Sequence, residues 1–357
     1  MPEAYEIHPL PTPSSSPTSL EALDALHLTE ISLPTTIPAN HSLIRLSAIA
    51  LNYLDLLQIS SSPAYPIPPS KGLIPCNDGA GTVVSPAQNH SHDSKWVPHT
   101  PVIMTQNTSW LHGTDIRDMD LQSVRGVGTT AGMLTQYKIV HDSHLVRMPR
   151  NLTPEEAATL PVAGGTAMHA LFFGPVVVKR GDVVLTQGTG GVSCWAIQLA
   201  IAAGATVVAT SSSDEKLEIA KRLGAKYLIN YRKTPEWEVE ARKVTGGKGV
   251  DFVVDVGGSG TIKQSLAAVR TGGAVSVVGV LTEGKKEDLV PDILFGGKII
   301  RGVLGIAKAH LEKLVEMVEE HDIHPVIAQT YPWAEAKDAF RALMKQQAVG
   351  KIVIRTE

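Results

Sequence analysis

The feature that most constrains this fold lies between Lys179 and Ile300. Short apolar runs begin near Val183, Val207, Tyr227, Phe252 and Val275, at intervals of 24, 20, 25 and 23 residues. Helical patterns fill the gaps, over 192–203, 214–223, 235–244 and 261–270. Parallel strands need a crossover of a dozen or more residues, and strand–helix alternation at this spacing winds a parallel sheet. The runs VVLT from Val183 and FVVDV from Phe252 are apolar along nearly their whole length, as strands covered on both faces require.

The flanking segments read differently. Fifteen of the 23 prolines fall in residues 1–101 and interrupt short apolar runs such as 42–48 and 81–84. Proline removes a backbone donor and breaks helices, so this region is expected to hold short strands joined by long loops. Residues 85–100, with His90, His92 and Asp93, are expected to form a solvated loop, and 133–140 a further strand. Thr153 followed by Pro154, Glu155 and Glu156 carries a capping residue, a first-turn proline and first-turn acids, which together announce a helix. After Ile300 come an amphipathic helix with Leu311, Leu314, Val315 and Val318 on one face, a second helical pattern over 334–344, and the strand KIVIR. Three elements are too few for a domain of their own, so this tail is expected to return to the N-terminal one.

Bulk properties narrow the function. At 357 residues the chain can hold two domains, each with its own core. Its 43 % hydrophobic and 19 % charged residues describe a folded protein, and a net charge of −3 offers no footprint for nucleic acid or an anionic membrane. Two cysteines, Cys76 and Cys194, exclude a disulfide framework and suit a reducing compartment. The N-terminus has neither the basic nor the apolar stretch of a secretory signal, and no apolar run approaches the roughly 20 residues that span a bilayer. The expectation is a cytoplasmic protein with small-molecule partners and a second copy of itself.

The first strand of the alternating series ends in Gly188-Thr189-Gly190-Gly191-Val192-Ser193, immediately before a helix. Glycines there permit a tight turn and close approach of backbone to a pyrophosphate, and the helix N-terminus adds free N–H groups and partial positive charge. Ser193 stands where the third glycine of such a fingerprint is usual. Following a strand, opening a helix and starting a series of βα units, the motif reads as a dinucleotide site. An NAD-preferring site places an acid about 20 residues further on, against the ribose 2′-hydroxyl. Here the second strand, Thr206 to Thr210, runs into Ser211, Ser212 and Ser213, with no carboxylate before Asp214. Hydroxyls and a nearby ammonium suit a 2′-phosphate, so Ser211, Lys216 and Tyr231 are the expected 2′-phosphate and adenosine contacts, and NADPH the expected cofactor.

The chain resembles the zinc-free, quinone-oxidoreductase-like members of the medium-chain dehydrogenase/reductase superfamily over nearly its whole length. The resemblance rests on Leu51-Asn52-Tyr53-Leu54-Asp55, Ile74 to Gly81 (IPCNDGAG), Glu155 to Pro161 (EEAATLP), Gly165-Thr166-Ala167, the glycine turn, Ala220 to Ala225 (AKRLGA) and Gly350 to Ile354 (GKIVI). It implies an α/β fold: a GroES-like β domain, 1–164 and 303–357, into which a doubly wound Rossmann parallel sheet, 165–302, is inserted. Zinc-dependent relatives carry cysteine where this chain has Asn52, His-Glu where it has Asn77-Asp78, and cysteine near Val162. A catalytic zinc takes about three ligands from Cys, His and carboxylates, which this set does not supply. His90/His92 and His141/His144 are spaced as metal ligands but read as loop and strand-end residues, so no metal is expected. No tyrosine has a lysine four residues later, which removes the short-chain reductase alternative.

By resemblance, Asn52, Tyr53 and Asp55 form the substrate pocket, and Thr166 lies beside the nicotinamide carboxamide. The backbone of Val278-Gly279-Val280 and of Gly302-Val303-Leu304 borders the ring. Tyr53 is the candidate donor, since a phenol can hold a developing enolate. Cys76 and Cys194 are expected to be buried small residues. A zinc-free site suits hydride addition to an activated C=C or a quinone better than reduction of a simple ketone. The alternatives are an NADP-dependent alcohol dehydrogenase or ketone reductase, a trans-acting enoyl reductase of a polyketide pathway, and a catalytically inactive NADPH-binding protein. The resemblance also implies a homodimer through the edge of the Rossmann sheet.

Overall fold

The computed structural model describes residues 1–10, 16–86, 96–113, 115–282, 284 and 286–356. His90, His92 and Asp93 lie outside the described residues. The chain forms two units, Met1–Ala163 with Gly305–Glu357, and Gly164–Leu304.

In chain order the first unit begins with β1 (Glu3–Ile7), β2 (Leu26–Glu30), β3 (His41–Ala50), α1 (Tyr53–Ile59), β4 (Asp78–Pro86), β5 (Pro101–Met104), β6 (Tyr137–His141), β7 (Leu145–Arg147) and α2 (Pro154–Ala157). The second unit follows with α3 (Gly165–Phe172), β8 (Val183–Gln187), α4 (Gly191–Ala202), β9 (Thr206–Ser211), α5 (Asp214–Arg222), β10 (Tyr227–Asn230), α6 (Trp237–Val244), β11 (Val250–Asp255), α7 (Ile262–Ala268), β12 (Val269–Val277), α8 (Val290–Gly296) and β13 (Ile299–Gly302). The first unit then resumes with α9 (Lys308–His321), β14 (Ile327–Pro332), α10 (Ala336–Met344) and β15 (Lys351–Arg355).

In the first unit, β3 is the spine. It pairs antiparallel with β4, β6 and β15, within the strand order β14-β15-β3-β4-β5-β7. The last strand thus closes on the first long one, and the C-terminal tail completes the N-terminal domain as its sparse elements foretold. Core side chains come from both ends of the chain: Leu46, Ile49 and Leu56 pack in one cluster with Phe340, Ile352 and Ile354. α10 turns Ala336, Ala339, Phe340 and Met344 inward at the 3–4-residue spacing of a helical stripe. Thr153 caps α2 in a reciprocal pair with Glu156: Thr153 N donates to the Glu156 carboxylate at 2.9 Å, and Glu156 N to Thr153 Oγ1 at 3.3 Å.

The strand expected over 133–140 is shorter, because Met133 N and Leu134 N donate to the carbonyls of Cys76 and Pro75 instead of joining the sheet. β14 was not foreseen. Its burial pattern has no clear alternation, which leaves little periodic signal.

The second unit is a six-stranded sheet in the order β10-β9-β8-β11-β12-β13, parallel throughout. The order reverses between β8 and β11, the switch at which such sheets open a crevice at their carboxyl ends. Leu185, Val208, Val253 and Val275 are buried in its core. The five expected strands and four helices are present; β13 is a sixth strand, at the sheet edge. Among the described residues no helix is long and apolar enough to cross a membrane.

Candidate active site

In the second unit the glycine turn links β8 to α4. Gly188 has φ +72°, a backbone conformation a β-carbon disfavours, and an added Cβ would meet nothing within 4 Å. The space above the turn is therefore open. No side chain caps α4, so its first N–H groups remain available to an anion. Ser193 closes the turn from below by donating Oγ–H to Gln187 O at 2.7 Å. Thr189 Oγ1 lies 3.4 Å from Ser211 Oγ, and Tyr231 N donates to Ser211 O at 3.1 Å. The loop after β8, the end of β9 and the start of the loop after β10 thus meet at Ser211. Lys216 sits in the first turn of α5, its N–H donating to Ser213 Oγ. Asp214, the first carboxylate after β9, is engaged by Asn230 and Lys233, which hold it below the usual carboxylate range.

Val278, Gly279 and Val280 follow β12, Val303 and Leu304 follow β13, and Val303 N donates to Val277 O at 2.9 Å, so these two chain ends are adjacent. Val280 is 66 % exposed and Leu304 43 %. Thr166 lies on α3, whose last turn is clamped to the sheet: Arg301 donates to the carbonyls of His169, Ala170 and Phe173, and Ser276 Oγ–H donates to Ala170 O. One network was not anticipated. Buried Gln187 donates to Asp255 and Ser265 and accepts from Val256 N and Gly257 N, stitching the ends of β8 and β11 beneath the turn. Its only sequence signal was a pair of polar residues ending two apolar strands.

In the first unit, Asn52 precedes α1 and Tyr53 opens it. Asp55 is 1 % exposed and accepts Asn52 N–H at 2.7 Å. The Asn52 amide is engaged at both ends. Its Nδ2 donates to Asp78 Oδ2 at 2.9 Å, and its Oδ1 accepts from Lys351 Nζ at 2.6 Å. Lys351 Nζ also donates to Leu51 O at 2.6 Å and to Asp78 Oδ2 at 3.2 Å, while Asp78 Oδ1 accepts Val162 N–H at 2.8 Å. Burial pushes Asp55 up to about 7, and pushes Asp78 up despite the pull of Lys351. Asp55 is thus buried, and the half-buried Asn52 has its amide engaged at both ends. The Tyr53 hydroxyl has no hydrogen-bond partner among the described residues. Asp78 and Lys351 were missed as site residues; a lysine inside the apolar strand KIVIR was the available signal.

Family models described as alcohol dehydrogenase GroES-like domain and zinc-binding dehydrogenase match residues 38–150 and 191–320. A zinc-type alcohol dehydrogenase-like protein of Schizosaccharomyces pombe is 38 % identical over 343 residues, covering 95 % of this chain and 97 % of its own. A 2-haloacrylate reductase of a Burkholderia species is 30 % identical over 240 residues, covering 62 % of this chain and 70 % of its own. A crystal structure of an NAD-dependent alcohol dehydrogenase, 27 % identical, superposes with a TM-score of 0.84 over all of both chains. This chain belongs to the medium-chain dehydrogenase/reductase superfamily. It is an oxidoreductase of that family, whose members bind a nicotinamide dinucleotide.

The second unit fits such a cofactor: an open glycine turn, an uncapped helix N-terminus and a hydroxyl-lined strand end are the donors a pyrophosphate and ribose require. Zinc, named in one family description and in the name of the Schizosaccharomyces pombe relative, fits poorly. The positions that the resemblance assigns to its ligands hold two amides, the single carboxylate Asp78 and a valine, the Lys351 Nζ bonds that carboxylate, and no three His, Cys, Asp or Glu side chains gather as a metal set among the described residues. His141 Nδ1 bonds Ser143 Oγ and His144 Nδ1 bonds Arg125, so the inner nitrogens of that pair already have partners.

Proposed function

We propose that this protein is a zinc-independent, NADPH-dependent reductase of activated C=C bonds or quinones, with Tyr53 as the hydrogen-bond donor to substrate. The observation that carries this reading is the start of α1, where an unpartnered phenol stands beside a set of buried polar groups already satisfied by one another. A reduced nicotinamide, when bound, supplies a hydride. Tyr53 donates its hydroxyl hydrogen to the oxygen on which charge develops during conjugate addition, which lowers the barrier because the donor is already in place. Asn52, Asp55 and Lys351 hold the backbone from which Tyr53 projects.

For the 2′-phosphate, Ser211 and Thr189 offer hydroxyls and Lys216 a cation; of the two carboxylates in the first turn of α5, Asp214 is occupied by Lys233 and Glu215 by Ser213. Two free, buried thiols support a reducing compartment such as the cytoplasm. A second copy of the chain is the expected macromolecular partner, through β13 and α8, where Val290, Leu294 and Phe295 are 66, 67 and 84 % exposed.

Fluorescence titration of the purified protein with NADPH and with NADH is the test of the cofactor. One or two charge-assisted contacts predict a preference for NADPH of about tenfold to a hundredfold. Turnover of an enone and quinone panel with NADPH is the test of the reaction. Oxidation of secondary alcohols with NADP⁺, without enone reduction, would replace this reading by that of an alcohol dehydrogenase.

A further inference from the structure

β13 forms the sheet edge as Ile299-Ile300-Arg301-Gly302, a strand in which one half-buried arginine follows two apolar residues. Strand pairing sets Arg301 beside Ser276 of β12. Both side chains reach the C-terminal end of α3, where the last carbonyls of a helix have no partner within it. Arg301 Nη2 donates to His169 O at 2.8 Å and to Ala170 O at 2.9 Å, and Nη1 donates to Phe173 O. Its Nε donates to Ser276 Oγ at 3.2 Å, and that hydroxyl donates in turn to Ala170 O at 3.1 Å. The acceptors of the guanidinium are thus three carbonyls and a hydroxyl, and its charge suits the partial negative charge of a helix end. An added Cβ on Gly174 would collide with Nη1 and Cζ, so the chain leaving α3 is laid directly against the guanidinium.

The segments joined by this clamp are those that the resemblance places around the nicotinamide. Thr166 lies about one helical turn before Ala170 on α3. Val278 and Val303 stand two residues beyond Ser276 and Arg301, and Val303 N donates to Val277 O at 2.9 Å. The glycine turn and Ser211, expected to take the other half of the cofactor, share none of the clamp's bonds. We propose that Arg301 is the positioning residue of the nicotinamide half of the cofactor site, holding α3, and with it Thr166, against the ends of β12 and β13. This deepens the proposed function and rests on it for the place of the nicotinamide.

The test uses the full-length protein, its Arg301→Lys and Ser276→Ala variants, and two ligands: NADPH, and 2′-phospho-ADP-ribose, the same dinucleotide without its nicotinamide. Lysine keeps the charge but replaces the planar fork by one nitrogen, which cannot reproduce four bonds to separated acceptors. By calorimetry, Arg301→Lys is expected to bind 2′-phospho-ADP-ribose within about twofold of wild type and NADPH about tenfold more weakly. Its kcat should fall by about tenfold or more, because a displaced ring loses its alignment for transfer. Hydrogen exchange of the α3 amides should be at least about tenfold faster. Ser276→Ala removes one bond of the clamp and should shift the ratio of the two affinities in the same direction by about two- to fivefold.

Equal loss of both ligands, or wild-type affinities, kcat and exchange, would overturn the positioning role and leave Arg301 a structural cap. Should Arg301→Lys fail to fold, Ser276→Ala decides alone, and an unchanged ratio overturns the proposal. If wild type reduces neither enones nor quinones, the proposed reaction fails while the binding ratio still decides the role of Arg301. If wild type prefers NADH, the proposed cofactor fails, and NADH with ADP-ribose gives the same ratio.

Discussion

Tyr53 is half-buried at the head of α1 with its hydroxyl unpartnered, so Tyr53→Phe removes one donor and little packing. Loss of a single donor to a developing oxyanion lowers kcat by about 10²–10³. Steady-state rates with the best enone or quinone, at unchanged NADPH affinity, check this. Asp55 makes a different prediction. Burial raises its carboxyl from 3.8 to about 7. Between those values the unfolded chain releases the proton and the folded chain keeps it, so the folded state binds more protons and stability falls as pH rises through that window. Urea midpoints should therefore decline from about pH 4 to about 7, and Asp55→Asn should remove that part of the slope. A slope untouched by the substitution would show that Asp55 already ionises near its ordinary value. Tyr53 and Asp55 stood out in the sequence because they sit in a motif; which one is buried was not legible. Reciprocal bonds among Asn52, Asp78 and Lys351 decide that, and Lys351 lies 299 residues from Asn52.

At the scale of elements, local chemistry was most readable where the chain satisfies itself within a few residues. The α2 cap is such a case: Thr153 and Glu156 exchange bonds across one helical turn, as their spacing announced. Thr153→Ala is expected to cost about 1 kcal/mol, seen as a melting temperature lower by roughly 2–4 °C with kcat unchanged. The βα units were equally plain, since a strand covered on both faces must be apolar throughout and its crossover helix must fill a fixed gap. β13 and α8 escaped notice for the opposite reason. At a sheet edge the burial requirement relaxes, and α8 has no buried residue to create a period. Met133 and Leu134 misled because their backbone N–H groups bond Pro75 and Cys76, a pairing that no local pattern encodes.

For the whole molecule, the exposed apolar side chains of α8 beside the open edge of β13 give the dimer proposal its test. Wild type should elute at twice the mass of the 38.1 kDa chain in light-scattering chromatography, and Phe295→Lys should shift it to the monomer. A wild-type monomer would remove the proposal and leave the fold of each unit intact. By itself the sequence determined the parallel sheet, the phosphate turn and the return of the C-terminal tail, because periodicity, glycine and capping act over a few residues. Tertiary structure alone decided which polar groups remain free. Satisfying a buried charge requires partners brought from opposite ends of the chain, and Lys351, arriving on the last strand, bonds Leu51, Asn52 and Asp78.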